Sequence, residues 1–509
     1  MIELFDNLAL GLSVAASLDG LFYCLAGVTL GMLVGVLPGI GTMATLAMLL
    51  PITYHLQPNF ALIMLAGIYY GASYGGSTAS ILLNLPGTAT SAVTAIDGYP
   101  MAKSGKAGVA LFMTAIASFV GSLFGVMLLS LFSVPLARLA LEFGPQEYFA
   151  LMLLGLIAAA FIGSGRPVRS LAAVSLGLVL GLVGLDLNSG VARFTFGFPE
   201  FYDGLSLVAV AIGLFGMPEI IASAGRRIRT QASARDITLR SMLPSKDEWK
   251  RSAMPMARGS GVGAFFGALP GTGGVVATFI SYAIEKRVSR NPEAFGKGAI
   301  EGVAAPEAAN NAAVQSAFIP TLSLGIPGDP VMAIMLGVMM IHGILPGPNV
   351  ISGSPDLFWG LVVSFIIGNI FLLVLNLPLI GIWVRLLAIP YHYLFPVIVT
   401  FICIGIYSVK FQVIDIYVLL AFGFLGVGMK LLRFEVAPML LGFVLGPMME
   451  EYFRRALVVS GGNLATFLER PISGVIMVIV FAIIGWFGVR ALLRLVTAGG
   501  SRTNAKTNA

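Results

Sequence analysis

Charge is scarce in this sequence. Of its 509 residues only 11% are Asp, Glu, Lys or Arg, where a soluble domain carries roughly 25%. So few charges cannot cover a chain of this length with water-compatible surface, which excludes an ordinary soluble globule. Basic residues are missing from the whole opening stretch: Glu3 and Asp6 come early, and the first Lys or Arg is Lys103. A secretory signal needs a positive leading region, so none is read there. The only cysteines, Cys24 and Cys403, sit in apolar stretches, and His55, His342 and His392 are isolated. That leaves no metal site of the usual ligand spacing. No Gly-x-x-x-x-Gly-Lys-Ser/Thr segment occurs, so ATP-driven chemistry of the phosphate-loop kind is not expected.

What is abundant is apolar sequence: 57% of the chain, with a mean hydropathy of +0.93. A spanning helix needs roughly 20 apolar residues, and backbone facing lipid must bond within its own helix. Apolar stretches of that order recur at Gly108–Pro135, Glu147–Ile162, Leu171–Leu185, Gly204–Ser223, Leu357–Leu379, Val413–Met429 and Ile472–Leu493. The fold class expected is an all-α polytopic membrane protein, with about 11 spanning helices plus re-entrant hairpins or broken helices. The net charge of +6 is read as loop charge on the cytoplasmic side, not as a nucleic-acid surface.

The chain contains a repeat. Gly35-Val-Leu-Pro-Gly-Ile-Gly41 reads like Gly267-Ala-Leu-Pro-Gly-Thr-Gly273, 232 residues on; Leu83-Asn-Leu-Pro-Gly-Thr88 reads like Leu324-Gly-Ile-Pro-Gly-Asp329, 241 residues on. Two motifs in the same order at nearly the same offset indicate duplication. Loop charge then alternates. In the first copy the loop between motifs, Pro51–Asn59, has no Lys or Arg, and the loop after the second motif has Lys103 and Lys106. In the second copy the loop between motifs has Lys286, Arg287, Arg290 and Lys297, and the loop Pro346–Asp356 after the second motif has none. Lys and Arg mark the cytoplasmic side, so the two copies are expected to be inverted in the membrane, a design of secondary transporters. The expected organisation is residues 1–225, the first repeat with following membrane helices; 226–258, a basic cytoplasmic loop; 259–495, the inverted second repeat with following membrane helices; and 496–509, a disordered cytoplasmic tail.

Proline removes a backbone donor and glycine permits left-handed turns, so each Pro-Gly pair breaks a helix. Broken backbone survives at membrane depth only where protein or a watery cavity satisfies it. Gly259–Ile284, flanked by basic residues on both sides, is too short for two spans and reads as a re-entrant hairpin. By inversion, Leu21–Leu50 enters from the other face. The tips present helix N-termini, which hold anions. The candidate substrate-binding residues are therefore Pro38, Gly39, Gly41, Thr42, Ser77, Asn84, Pro86, Gly87, Thr88, Pro270, Gly271, Thr272, Gly273, Asn310, Asn311, Pro327 and Gly328. Glu307, Asp329 and Asn84 are the candidates for ion coupling, since ionisable groups in apolar sequence mark ion pathways. Asp329 also suits a helix N-cap. Asp186, Arg193 and Asp203 read as a solvated loop, and Glu450, Glu451, Arg454 and Arg455 as a solvated loop cluster. No residue is a candidate for catalysis. An intramembrane protease would want glycine at 326, where Ile326 stands. Glycine-rich re-entrant loops also build channel filters, so a stand-alone carrier or channel for small anions is the alternative.

Several motifs together resemble the TctA-like large membrane subunit of the tripartite tricarboxylate transporters. They are the two tip motifs of the first copy, Tyr70-Gly-Ala-Ser-Tyr-Gly-Gly-Ser77, Asp97-Gly-Tyr-Pro-Met-Ala-Lys103, Pro306-Glu-Ala-Ala-Asn-Asn-Ala312 and Leu324-Gly-Ile-Pro-Gly328. The resemblance spans nearly the whole chain. It implies a multi-pass protein of the bacterial inner membrane that imports citrate-like or related small carboxylates. It further implies two partners, a small TctB-like membrane subunit and a periplasmic TctC-like solute-binding protein, and no cofactor beyond a coupling ion, sodium or proton.

Overall fold

The computed structural model describes residues 2–37, 42–53, 55–162, 167–186, 189–224, 239–269, 273–387 and 411–504, with a few positions between 396 and 407. Helices dominate; the described strands are β1 (Gly184–Leu185) and β2 (Ala192–Arg193), paired antiparallel. The first half runs α1 (Ile2–Ala15), α2 (Leu18–Val36), α3 (Thr42–Thr53), α4 (Pro58–Leu83), α5 (Ala92–Met101), α6 (Ala107–Ala140), α7 (Pro145–Ile162), α8 (Pro167–Gly181), α9 (Leu207–Ala211) and α10 (Met217–Ala224). The second half runs α11 (Leu239–Met242), α12 (Lys246–Ala268), α13 (Gly273–Val288), α14 (Glu301–Ser316), α15 (Phe318–Leu324), α16 (Pro330–Ile341), α17 (Asn349–Gly353), α18 (Pro355–Asn376) and α19 (Ile380–Leu386). It closes with α20 (Ile414–Leu431), α21 (Ala437–Val459), α22 (Thr466–Glu469) and α23 (Pro471–Asn504). By length and composition, four described helical stretches suffice to cross a membrane: Leu18–Val36, Ala92–Ala140, Pro355–Asn376 and Ile414–Leu431. Outer helices turn Phe132, Phe424 and Trp486 outward, as lipid contact requires. This is an all-α polytopic membrane protein.

Two helix pairs form the centre, and glycine sets their distance. α2 lies along α4, with Gly27, Gly31 and Gly35 against the carbonyls of Met64, Ile68 and Ala72. α12 lies along α14, with Gly259, Gly263 and Gly267 against the carbonyls of Ala305, Ala309 and Ala313. Every glycine of the second set is 232 residues after its counterpart, and every carbonyl 241 after. Small residues at every fourth position let backbones meet where lipid supplies no hydrophobic drive. A methyl on Gly263 would fall 2.1 Å from the Ala309 oxygen, and one on Gly31 2.4 Å from that of Ile68.

The long helices then cross over. α6 packs on α14 and α12, and α18 packs on α4 and α2. Consequently α4 is buried from Ala61 to Leu82, and α14 from Gly302 to Ser316. On α14 the Glu307 carboxylate and the Asn311 amide nitrogen find hydrogen-bond partners inside the protein.

Helices α4 and α15 end alike. Asn84 caps α4 at φ 56°, and Gly325 caps α15 at φ 70°. In both, the cap N–H donates one turn back, to Ser80 and Thr321 carbonyls at 3.1 Å. This left-handed residue turns the chain into Pro-Gly and towards the next helix.

Several boundaries differ from the sequence reading. α12 starts at Lys246, inside the stretch read as loop, because Ser245 and Glu248 form a reciprocal capping box. Its arms are joined across the hairpin by Arg258, which grips Glu285 of α13 through two bonds of 2.6 and 2.9 Å. Helix α23 continues to Asn504, through much of the expected tail; no proline follows Pro471 to stop it. Glu450, Glu451, Arg454 and Arg455 are helical, on α21, and not a loop. Arg193 pairs with Glu450 at 2.8 Å and Arg454 with Asp186 at 3.1 Å, so these charges fasten the β1–β2 hairpin to α21.

Candidate functional site

Described residues beside each of the four helix breaks line one cavity of about 640 Å³. Thr42 at the start of α3, Gly87, Thr88 and Thr90 ahead of α5, Gly274 at the start of α13, and Asp329 and Pro330 at the start of α16 line it. Four helix N-termini thus meet there. The first N–H groups of a helix have no partner within it, and its N-terminus carries partial positive charge. α5 begins without a side-chain cap. α16 is capped by its own Asp329, which accepts from the Met332 N–H at 2.9 Å, so one of the four already holds a carboxylate. Tyr69 donates its hydroxyl to the other oxygen of Asp329.

Asn310 stands behind the third tip. A methyl on Gly274 would lie 3.1 Å from Thr90 Cγ2 and 3.7 Å from Asn310 Oδ1. Asn310 is fully buried, yet among the described residues neither its Oδ1 nor its Nδ2 has a hydrogen-bond partner. A buried amide left unpaired is costly, and this one lies directly behind the cavity-lining Gly274.

A second cluster lies inside the protein. Glu307 is fully buried on α14. Its Oε2 accepts the hydroxyls of Ser77 at 2.6 Å and Thr94 at 2.9 Å. Its Oε1 accepts Ser118 Oγ at 2.9 Å and Asn311 Nδ2 at 3.2 Å. α4, α5 and α6 of the first copy therefore close around a carboxylate of the second.

The sequence-derived candidates divide as follows. Thr42, Gly87, Thr88 and Asp329 line the cavity, and Gly273, at φ 66°, lies beside Asp329. Ser77, Glu307 and Asn311 make the buried cluster. Pro327 and Gly328 are buried behind the cavity, with the Gly328 N–H donating to Thr321 Oγ1 at 3.3 Å. Asn84 and Pro86 are exposed and do not line it; Asn84 serves as the α4 cap. Pro38, Gly39, Gly41, Pro270, Gly271 and Thr272 lie outside the described residues.

Sequence reasoning did not single out Tyr69, Thr94, Ser118 and Asp97 as site residues. Asp97 is buried, and one of its oxygens accepts the N–H groups of Gly296, Gly298 and Ala299, each at 2.8 Å. Gly296 and Gly298 have φ of 85° and 108°, the left-handed geometry that lets successive N–H groups converge on one oxygen. Its aspartate within an apolar run was the available signal. For Ser118, in a long apolar helix, there was none.

A helical membrane protein whose broken helices converge on a central cavity has the build of a solute carrier. Residues 21–441 match the tripartite tricarboxylate transporter TctA family, and the chain belongs to that family as a membrane component of such transporters. It is 48% identical over 482 residues to the uncharacterized 52.8 kDa protein in the TAR-I ttuC' 3' region of Agrobacterium vitis, covering 94% of this chain and 95% of the relative. It is 53% identical over 211 residues to an uncharacterized protein in the TAR-II ttuC' 3' region of the same organism, covering 42% of this chain and 87% of that protein. No solved structure matches it.

Proposed function

We propose that this chain is the translocating subunit of a secondary importer for citrate-like tricarboxylates or related small carboxylates. The convergence of four helix N-termini on one cavity carries the reading. Each N-terminus favours a nearby anion by about 0.3–1 kcal/mol, and more when partly buried. With Asp329 occupying the fourth, the starts of α3, α5 and α13 are left for the carboxylates of the solute. Thr42, Thr88, Thr90 and Asn310 would orient it.

The two copies act as inverted repeats. The matching glycine contacts at offsets of 232 and 241 support duplication, and loop charge supports the inversion. On that topology the cavity lining extends along α13 to Ile280 and reaches Lys430 at the end of α20 and Glu435 just beyond it, the side that loop charge assigns to the cytoplasm. The arrangement is then open to the cytoplasm, and rocking of one copy against the other would close it. Glu307 is the group proposed to hold the coupling ion. A small TctB-like membrane subunit and a TctC-like periplasmic binding protein complete the system, in a bacterial inner membrane.

The test is uptake of labelled citrate and related carboxylates by cells making this chain with its small membrane partner. It is run with and without the binding protein, and with and without sodium. Saturable uptake that needs the binding protein is the expected outcome. Uptake indifferent to the binding protein points instead to a stand-alone carrier or channel.

A further inference from the structure

We infer that the Glu307 cluster holds a single monovalent cation, and that its repeat-related counterpart is plugged and holds none. The inference rests on the transport reading above, because it takes that cation as the coupling ion.

Every partner of Glu307 is neutral: three hydroxyls and one amide. Among the described residues no Lys or Arg pairs with it; Arg258 and Arg251, the basic residues on neighbouring α12 that do form ion pairs, hold Glu285 and Glu301. A lone carboxylate so deep is costly without a positive charge. One carboxylate neutralises one charge, so the occupant is monovalent. Hydroxyls suit either occupant chemistry: they turn lone pairs towards a hard cation, or accept from a protonated carboxyl. Asn311 Oδ1, also buried and without a described partner, adds an oxygen at the edge of the cluster. The cluster closes only when α4, α5 and α6 meet α14, so occupancy reports on how the two copies sit together.

The counterpart position shows the contrast. Residues 241 earlier than Glu307 and Asn311 are Ala66 and Tyr70. Ala66 offers no charge. The Tyr70 ring fills the space, edge-on to Phe365 at 5.7 Å, with its hydroxyl near Cys24 Sγ at 3.8 Å and donating to the Ser364 carbonyl at 3.4 Å. Gly368 is glycine because a methyl there would lie within 1.9 Å of the Tyr70 hydroxyl. The duplicated halves thus offer one cation place, not two.

The experiment uses the purified full chain in detergent with no solute present. One arm measures radiolabelled sodium bound per chain; the other measures protons taken up or released by pH indicator. The expected result is one equivalent per chain in one arm, which names the ion. Glu307→Gln removes it, Ser118→Ala weakens it about tenfold, and Tyr70→Phe leaves the count at one. Two equivalents, none in either arm, or a count that survives Glu307→Gln overturns the inference. If Glu307→Gln does not purify as a folded chain, unchanged affinity in Ser118→Ala overturns it. Solute uptake is not part of this readout, so intact cation binding alongside absent carboxylate uptake would sink the transport reading alone.

Discussion

The Tyr282 hydroxyl donates to Asp97 Oδ2 at 2.8 Å, tying α13 to α5. These two helices begin at cavity-lining breaks belonging to different copies. The other oxygen of Asp97 gathers the loop that leads into α14, so one buried carboxylate sets the relative position of three elements of the site. Removing it in Asp97→Ala strands three N–H groups, at about 1–3 kcal/mol for each that water does not reach. Tyr282→Phe loses one bond of about 1 kcal/mol. The expected order of apparent melting temperature in detergent is wild type, then Tyr282→Phe, then Asp97→Ala well below both. Equal melting of Asp97→Ala and wild type would show that the loop holds itself.

The glycine stripes predict paired effects. Gly31→Val and Gly263→Val each drive a side chain into a backbone carbonyl of the facing helix, and overpacking of this kind costs about 1–3 kcal/mol or more. Gly261, two residues from Gly263 on α12, faces open space, so Gly261→Ala should be neutral or slightly stabilising. Yield and melting of the three variants check this. A Gly263→Val chain as stable as Gly261→Ala would refute the close α12–α14 contact.

These stripes explain how much could be read beforehand. The four helix breaks were legible because Pro-Gly within apolar sequence has few other uses, and the duplication because the motifs recur in order. Glu307 and Asp329 were legible as charges where charge is scarce. The partners that make them a site were not. Ser77, Thr94 and Ser118 are small hydroxyls of the kind that also serve helix packing, and only the crossing of α6 over α14 brings Ser118 to Glu307. Asn84 misled for a related reason: its polarity suggested a ligand, whereas its backbone does the work, as Gly325 does in the other copy. The charges of α21 were assigned to a loop because nothing in the sequence shows that Arg193 returns to meet Glu450.

Asn310 should act on solute affinity. If its amide binds a carboxylate, Asn310→Ala loses a bond to a charged group, worth about 1.5–3 kcal/mol. That corresponds to a half-saturating concentration raised at least about tenfold. Asn84→Ala should leave affinity unchanged, since Asn84 does not line the cavity; its effect should fall on stability, through a strained left-handed alanine. Concentration curves of uptake for the two variants separate these roles. Unchanged half-saturation in Asn310→Ala would remove it from the site.

Lys106 and Glu248 join the π-helical turn between α5 and α6 (Ala102–Lys106) to the first turn of α12 at 2.8 Å. Burial acts most strongly on the Glu248 carboxyl and raises it, but the Lys106 and Ser245 hydrogen bonds together outweigh burial and hold it below its usual value of 4.5. A carboxyl lowered by folding stabilises above its unfolded value, and that gain is lost as pH falls through the folded one. The contribution is therefore present in full at neutral pH and begins to be lost as pH falls below about 4.5. The Lys106 side chain is mostly exposed, so the effect is small, under about 1 kcal/mol. Lys106→Gln should lower the melting temperature slightly at pH 7 and by progressively less as the pH is taken down through the carboxyl's folded value. A deficit of equal size throughout would assign the loss to packing.

The inversion of the two copies has a direct test. Gln57 precedes α4, and Ser289 follows α13; the first lies in a loop without Lys or Arg, the second beside Lys286, Arg287 and Arg290. Placing single cysteines at these positions, with Cys403→Ser to remove the less buried native thiol, gives two reporters in equivalent loops of the two copies. A membrane-impermeant thiol reagent added to intact cells should label Gln57→Cys from the periplasm and spare Ser289→Cys until the membrane is opened. The loops are related by the repeat, so parallel copies would place both on one side. Labelling of both from outside, or of neither, would leave the duplication standing and make the copies parallel. The cavity's cytoplasmic opening would then have to be reassigned as well.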